Sequence, residues 1–131
     1  MVERKVAPYG SWKSPITTDL IVADIIAFGD IAVDGSDVYW NELRPQEGGR
    51  NVIVRRTSDG RTADVTPPEF NARTRVHEYG GGAMAVSGGI VYFSNFADQR
   101  LYRQEPGFEP QALTPEENLR YTDGVIDSQR G

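Results

Sequence analysis

Short runs in which apolar and polar residues alternate recur along most of this chain, with turn-forming residues between them. The first runs are residues 31–33 and 38–42, joined by an Asp-Gly turn at Asp34 and Gly35. This dipeptide is a hairpin signal, because glycine accepts the positive φ that tight turns need. Residues 51–57 and 62–66 follow as a second pair, so the pattern predicts four antiparallel strands.

The same plan recurs about 50 residues later, with runs at 83–86, 90–94, 100–104 and 111–115. Four strands at this period are typical of a β-propeller blade. The alternative is an eight-stranded antiparallel sandwich or barrel with chance similarity between its halves. We favour blades because the two units align at three separate places. The matched triplets, at offsets of 53, 48 and 47 residues, are Val38-Tyr39-Trp40 with Val91-Tyr92-Phe93, Val65-Thr66-Pro67 with Leu113-Thr114-Pro115, and Asn71-Ala72-Arg73 with Asn118-Leu119-Arg120.

The residues before the first clear strand are less regular. Residues 1–13 are expected to form an extended lead-in, and Pro15 disfavours helix at the residue before it. Thr17 or Thr18 would cap a short helix that runs through Ala23. The Ile and Val content of residues 20–27 also suits a strand, but we favour a short helix followed by a strand from Ile25.

The predicted fold class is therefore all-β. We expect a partial β-propeller of about two four-stranded antiparallel blades behind a short N-terminal helix or extended lead-in. Residues 1–30 would hold the lead-in and first strand, 31–70 one blade, 71–118 another, and 119–131 the truncated start of a further blade. Because propellers usually close with four to eight blades, two blades would leave open faces and the chain should self-associate.

Composition narrows the classes of function. The 131 residues include 14 basic and 19 acidic ones, and this acidic balance disfavours nonspecific nucleic-acid or anionic-membrane binding. No apolar run reaches the ~20 residues of a membrane span. The chain has no cysteine and one histidine, His77, so we expect no thiolate or polyhistidine metal site and no cofactor. The missing cysteines and the lack of a signal-peptide pattern favour the cytoplasm.

Several stretches together resemble the opening of prolyl-oligopeptidase-family serine peptidases. More closely, they resemble the bacterial dipeptidyl aminopeptidase or acylaminoacyl-peptidase-like group. The resemblance covers nearly the whole chain from Tyr9 onward. Its stretches are YGSWKSPIT at 9–17, DVYW at 37–40, RTRVHEYGGG at 73–82, YFSN at 92–95 and RLY at 100–102.

The resemblance implies an N-terminal propeller that covers a C-terminal α/β-hydrolase domain with its serine on a G-x-S-x-G elbow. This chain contains no G-x-S-x-G. We therefore expect a noncatalytic propeller fragment that gates and selects peptide substrates for a hydrolase domain outside these residues. The chain would not be an enzyme on its own. The alternative is a self-standing β-repeat module that binds a protein or peptide without any link to proteolysis.

The candidate substrate-facing residues are Arg73, Arg75, His77, Glu78 and Tyr79. In a strand the two arginines would face the same side, where they would bind a substrate carboxylate or acids of the catalytic domain. Otherwise they are solvated or locally paired. The imidazole and carboxylate would bind a peptide terminus or orient one another. Otherwise they would mark a blade junction at which the glycines 80–82 allow close backbone approach.

Overall fold

The computed structural model describes residues 6–21, 25–127 and 129–130. Its strands form two four-stranded antiparallel sheets, each in the order of the chain. This architecture confirms the predicted all-β, partial-propeller fold. The first sheet contains β1 (Ala27–Asp34), β2 (Asp37–Arg44), β3 (Arg50–Arg56) and β4 (Thr62–Asp64), and the second contains β5 (Met84–Ser87), β6 (Ile90–Ser94), β7 (Leu101–Gln104) and β8 (Gln111–Ala112). The unit boundaries given above stay predictions; β1 crosses the first of them.

A short helix, α1 (Thr18–Ile21), precedes the first sheet. The Leu20 backbone N–H donates to Thr17 Oγ1 at 3.1 Å, so Thr17 is the predicted cap. The expected end of this helix at Ala23 lies outside the described residues. The following strand begins at Ala27 rather than Ile25. No helix in the described ranges is long and apolar enough to cross a membrane.

The sequence repeat corresponds to a repeated hydrogen-bond pattern. Thr66 Oγ1 accepts from the Ile53 N–H at 3.1 Å, and Thr114 Oγ1 accepts from the Leu101 N–H at 3.1 Å. In both units a hydroxyl thus replaces a main-chain carbonyl just before a proline. For this reason β4 ends at Asp64 and not at Thr66, where the prediction had placed its end.

Asp34, the last residue of β1, connects the two hairpins across the sheets. Its carboxylate accepts from the Gly88 N–H at 3.2 Å and the Gly89 N–H at 2.6 Å. Both glycines have positive φ, 59° and 77°, so their N–H groups converge on one anion. The β5–β6 turn is therefore held against the first sheet by a charge-assisted contact.

The hydrophobic core lies between the two sheets. Phe93 is the fully buried aromatic residue that the second sheet contributes, and it packs edge-on to Phe70 at 5.8 Å and stacks on Tyr102 at 5.7 Å between ring centroids. Phe70 comes from the segment that connects the sheets. The fully buried members of this cluster are Tyr39, Ile53, Ala72, Val91 and Phe93.

Aromatic residues that match in the sequence repeat lie on equivalent faces of the two sheets. Tyr39 faces the second sheet, and its counterpart Tyr92 faces away from the first. Trp40 and Phe93 occupy the opposite faces, because neighbouring residues of a strand alternate. Phe93 is buried because the first sheet covers it, whereas Trp40 is only partly buried. The stacking thus repeats with a constant direction, as expected for consecutive blades.

Replacement of Phe93 by alanine tests whether this interface holds the sheets together. We expect Phe93→Ala to lower the free energy of unfolding by about 3–5 kcal/mol, because the removed ring leaves a cavity. Phe108→Ala is the matched control, since Phe108 is 68% exposed, and it should change stability by less than about 0.5 kcal/mol. Urea unfolding followed by circular dichroism measures both; equal effects would contradict the packing described here.

Candidate functional site

All the candidate site residues lie in the segment that links β4 to β5, residues 65–83, which we call the connector. Because successive strands are antiparallel, the connector lies at the same edge as the β2–β3 and β6–β7 connections. We call this the connector edge. The topology therefore brings residues from three separate loops to one end of both sheets.

Asparagine side chains fix the start of the connector. The Asn51 N–H donates to Asn71 Oδ1 at 3.0 Å, and the Asn71 N–H donates to Asn95 Oδ1 at 3.1 Å. Asn41 Nδ2 donates to the carbonyl of Ala72 at 2.7 Å. Ala72 also forms an isolated antiparallel bridge with Asn95. The connector is thus bound to both sheets immediately before the two arginines.

Arg73 and Arg75 converge on one aromatic ring. Their guanidinium carbons lie 5.1 and 5.3 Å from the centre of the Phe96 ring, within the range of a cation–π interaction. The strand expected at these arginines is absent, since they lie outside the eight strands. Both guanidinium groups nevertheless contact the same residue, Phe96 of the β6–β7 connection.

The turn 76–79 has a strained backbone. His77 and Glu78 have φ of 57° and 67°, a left-handed conformation that side chains with a Cβ disfavour. The Gly80 N–H closes the turn by donating to the Val76 carbonyl at 2.9 Å. The rings of His77 and Tyr79 stack with centroids 5.9 Å apart, and Tyr79 is 86% exposed. The turn therefore presents a stacked ring pair to solvent.

Glu78 binds an arginine from a distant part of the chain. Arg120 donates to the Glu78 carboxylate at 2.7 Å and to the Arg75 carbonyl at 2.9 Å. The hydrogen bond from Arg120 and its positive charge hold the pKa of Glu78 below its usual value. The Glu78 carboxylate thus pairs with Arg120 rather than with the neighbouring imidazole. This ion pair connects the turn to the C-terminal segment.

The glycines that follow the turn make room for the C-terminal segment. A Cβ at Gly81 would lie 2.1 Å from Thr122 Oγ1, and one at Gly82 would lie 2.7 Å from Asp123 Oδ1. The Gly82 N–H donates to Asp123 Oδ1 at 3.0 Å, and the Asp123 N–H returns a bond to the Gly82 carbonyl at 2.8 Å. Close backbone approach is therefore the structural role of these two glycines.

The structure thus brings the five candidate residues to one edge, in two groups. Arg73 and Arg75 share Phe96, while His77, Glu78 and Tyr79 form the strained turn. Sequence reasoning missed Phe96 and treated Arg120 only as the repeat counterpart of Arg73. That repeat match was a signal for Arg120, whereas nothing local distinguishes Phe96 from other aromatic residues in loops.

Solved structures of larger proteins are similar to nearly all of this chain. A crystal structure of puromycin hydrolase matches 98% of the chain and 21% of its own, with 35% identity and a TM-score of 0.80. A puromycin-hydrolyzing peptidase of Mycobacterium tuberculosis matches 97% of this chain and 21% of its own, with 36% identity and a TM-score of 0.86. A serine-to-alanine mutant of puromycin hydrolase complexed with PGG matches 95% and 21%, with 37% identity and a TM-score of 0.80.

These matches are consistent with an N-terminal propeller part of a prolyl-oligopeptidase-family peptidase, as the sequence resemblance predicted. The chain is similar to that part of the solved structures. It spans only about a fifth of the length of these relatives. No protein-family model and no curated protein matches the chain.

A larger residue at Gly81 should detach the C-terminal segment from this propeller part. Gly81 has no positive φ, so the effect of Gly81→Ala is steric, and we expect a loss of about 1–3 kcal/mol. Amide hydrogen exchange should rise at residues 120–127. Gly124→Ala is the matched control, because its Cβ meets nothing within 4 Å.

Removal of the Thr122 hydroxyl tests whether a steric clash causes the effect of Gly81→Ala. Thr122→Ala in the Gly81→Ala background should restore part of the lost protection, because it deletes the atom nearest to the new Cβ. If Gly81→Ala and Gly124→Ala are equally stable and equally protected from amide hydrogen exchange, the close approach of Gly81 to Thr122 does not contribute to folding.

Proposed function

We propose that this chain is a noncatalytic propeller part of a prolyl-oligopeptidase-like serine peptidase. In this proposal it gates and selects peptide substrates for an α/β-hydrolase domain that lies outside these residues, C-terminal to them. The observation that carries the proposal is the near-complete match of this chain to about a fifth of puromycin-hydrolyzing enzymes.

The chemistry of the chain supports a role without a nucleophile. It has no G-x-S-x-G sequence and a single histidine, His77. That histidine is exposed in a turn of strained backbone. Among the residues that the structure describes, it forms no hydrogen bond with a serine that it would activate. The connector edge instead offers charges and an exposed ring pair, which suit recognition.

The five connector residues are the proposed contacts with peptide substrates. Arg73 and Arg75 supply positive charge, and Tyr79 with His77 supplies an aromatic surface. Glu78 positions the turn through Arg120. The partners proposed here are the hydrolase domain of the parent chain and its peptides. The dipeptidyl or acylaminoacyl subtype and the cytoplasmic location stay predictions.

A hydrolysis assay tests whether catalysis lies outside this chain, as proposed. The isolated chain should not cleave aminoacyl or dipeptidyl chromogenic substrates, because it lacks the serine elbow. Turnover that a serine-directed phosphonate abolishes would overturn the proposal. The reading frame downstream of Gly131 distinguishes the peptidase proposal from the alternative of a self-standing binding module. A G-x-S-x-G several hundred codons later supports a peptidase, whereas a stop codon after Gly131 favours the binding module.

Substitution of Tyr79 tests selection in the full-length polypeptide. If its exposed ring narrows the path of long substrates, Tyr79→Ala should raise kcat/KM for a long peptide relative to a chromogenic dipeptide. The expected change in this ratio is about threefold to tenfold, which corresponds to about 1 kcal/mol of steric hindrance removed with the ring. Phe108→Ala removes a similarly exposed ring near the opposite edge and should leave the ratio unchanged. A ratio equal in both variants would exclude gating by Tyr79.

The open face of the first sheet supports the predicted self-association of the isolated chain. Phe28, Ile31 and Val33 of β1 lie on this face, and each is 70% exposed. Light scattering should show oligomers at high concentration, and Ile31→Thr with Val33→Thr should shift them toward monomer. Val125→Thr is the control, since Val125 is 91% exposed elsewhere. A monomer at all concentrations would contradict this prediction.

A further inference from the structure

We propose that Arg73 and Arg75, held together by Phe96, bind the free C-terminal carboxylate of a short peptide. This inference rests on the proposed function, because it names the part of a peptide substrate that these residues recognise. It also assigns to Phe96 the role of a positioning residue, which orders the two side chains before a ligand arrives.

Phe96 brings two guanidinium groups to one place on the connector edge. Both groups contact its ring, so their carbons are no further apart than the sum of the two distances to its centre. The ring restrains two long side chains that would otherwise lose rotamer freedom on binding. Each guanidinium offers parallel N–H donors that match the two oxygens of a carboxylate.

The two guanidinium groups of this pair form no direct ion pair. Within the described ranges, neither Arg73 nor Arg75 lies within salt-bridge distance of a carboxylate, and both residues are exposed. The charge of Arg75 acts on Glu78 only at longer range, where it helps to lower the pKa of that carboxyl group. The contrast with the rest of the chain is clear, because ion pairs engage most of its other arginines. Those with a carboxylate partner are Arg44, Arg50, Arg55, Arg61, Arg103, Arg120 and Arg130.

Two acidic groups of the connector edge, Asp98 and Glu78, have other hydrogen-bond partners. Asp98, in the same connection as Phe96, accepts from the Tyr102 hydroxyl at 2.6 Å, the Arg100 N–H at 3.2 Å and Asn95 Nδ2 at 3.1 Å. Glu78 is bound to Arg120. Neither of these two carboxylates forms an ion pair with Arg73 or Arg75, so both guanidinium groups keep N–H donors for an anionic ligand.

A terminal carboxylate is the ligand that best suits a selecting surface. Every linear peptide carries one whatever its sequence, whereas an acidic side chain occurs only in some. The pair lies at an exposed edge, where the end of a chain can approach without burying its whole length. Recognition of this group would favour short peptides over long chains whose C-terminus is remote.

Binding of matched peptides to the 131-residue chain tests the proposal. The probes are an N-acetylated tetra-alanine with a free C-terminal carboxylate, its C-terminal amide, and an amidated peptide with one internal glutamate. Isothermal titration at low ionic strength should show the acid binding about tenfold or more tightly than the plain amide. Arg73→Gln with Arg75→Gln should abolish this difference.

Two further variants separate recognition from folding and from overall charge. Arg56→Gln with Arg61→Gln removes the same two positive charges from the β3–β4 turn region, at the opposite edge, and should retain the preference for the acid. Phe96→Leu should reduce the acid-to-amide ratio toward one while the circular dichroism spectrum stays unchanged, a result that a purely structural role would not produce.

Three outcomes overturn the inference: equal binding of acid and plain amide, no binding of the acid, or an arginine double variant that binds like the parent chain. Equal binding of the glutamate-containing amide and the acid also overturns it, in favour of an acidic protein segment as the ligand. None of these results changes the hydrolysis assay or the Tyr79 ratio, so failure here is distinguishable from failure of the proposed function.

Discussion

The contact between the two sheets is the constraint on which the rest of the structure depends. Neither sheet buries its residues alone, and each relies on the other for one covered face. Phe93, Tyr39 and Phe70 fill the space between them. Ala72 of the connector is fully buried in the same cluster, so packing of the sheets also determines where the connector runs. The candidate site is thus a consequence of the core.

The strained turn persists because both of its flanks are fixed. On one side, amide side chains bind Asn71 and Ala72 to the two sheets. On the other, Gly82 exchanges hydrogen bonds with Asp123. Arg120 then joins the turn to the C-terminal segment. Two consecutive left-handed residues cost of order 1–3 kcal/mol each, and only a surrounding structure that over-determines their conformation maintains it.

The proposed role in recognition, with bond cleavage outside these residues, rests on the same arrangement. Its functional side chains come from loops at one edge, where they are exposed and held by neighbours. The groups gathered there are cations, aromatic rings and main-chain donors, which orient a ligand by charge and shape. Hydrolysis needs an activated nucleophile beside a base, and the relatives are about five times longer than this chain.

The strands, their turns and the two-unit repeat were determined by the sequence itself. They follow from alternation within a strand and from glycines such as Gly35 that accept positive φ, which are properties of residues close together in the chain. The matched positions of Thr66 and Thr114 likewise indicate the equivalence of the two units from the order of residues alone. The candidate residues 73–79 were also found this way, from a family resemblance.

Only the tertiary structure decided which of these residues act together. Phe96 meets Arg73 and Arg75 from more than twenty residues away, and Arg120 reaches Glu78 across 42 residues. Local pattern carries no information about such contacts, because they depend on how one sheet stacks on the other. For the same reason the sequence could not tell that Phe93 is buried while its counterpart Trp40 is only partly covered: burial is decided by the neighbouring sheet, not by the strand.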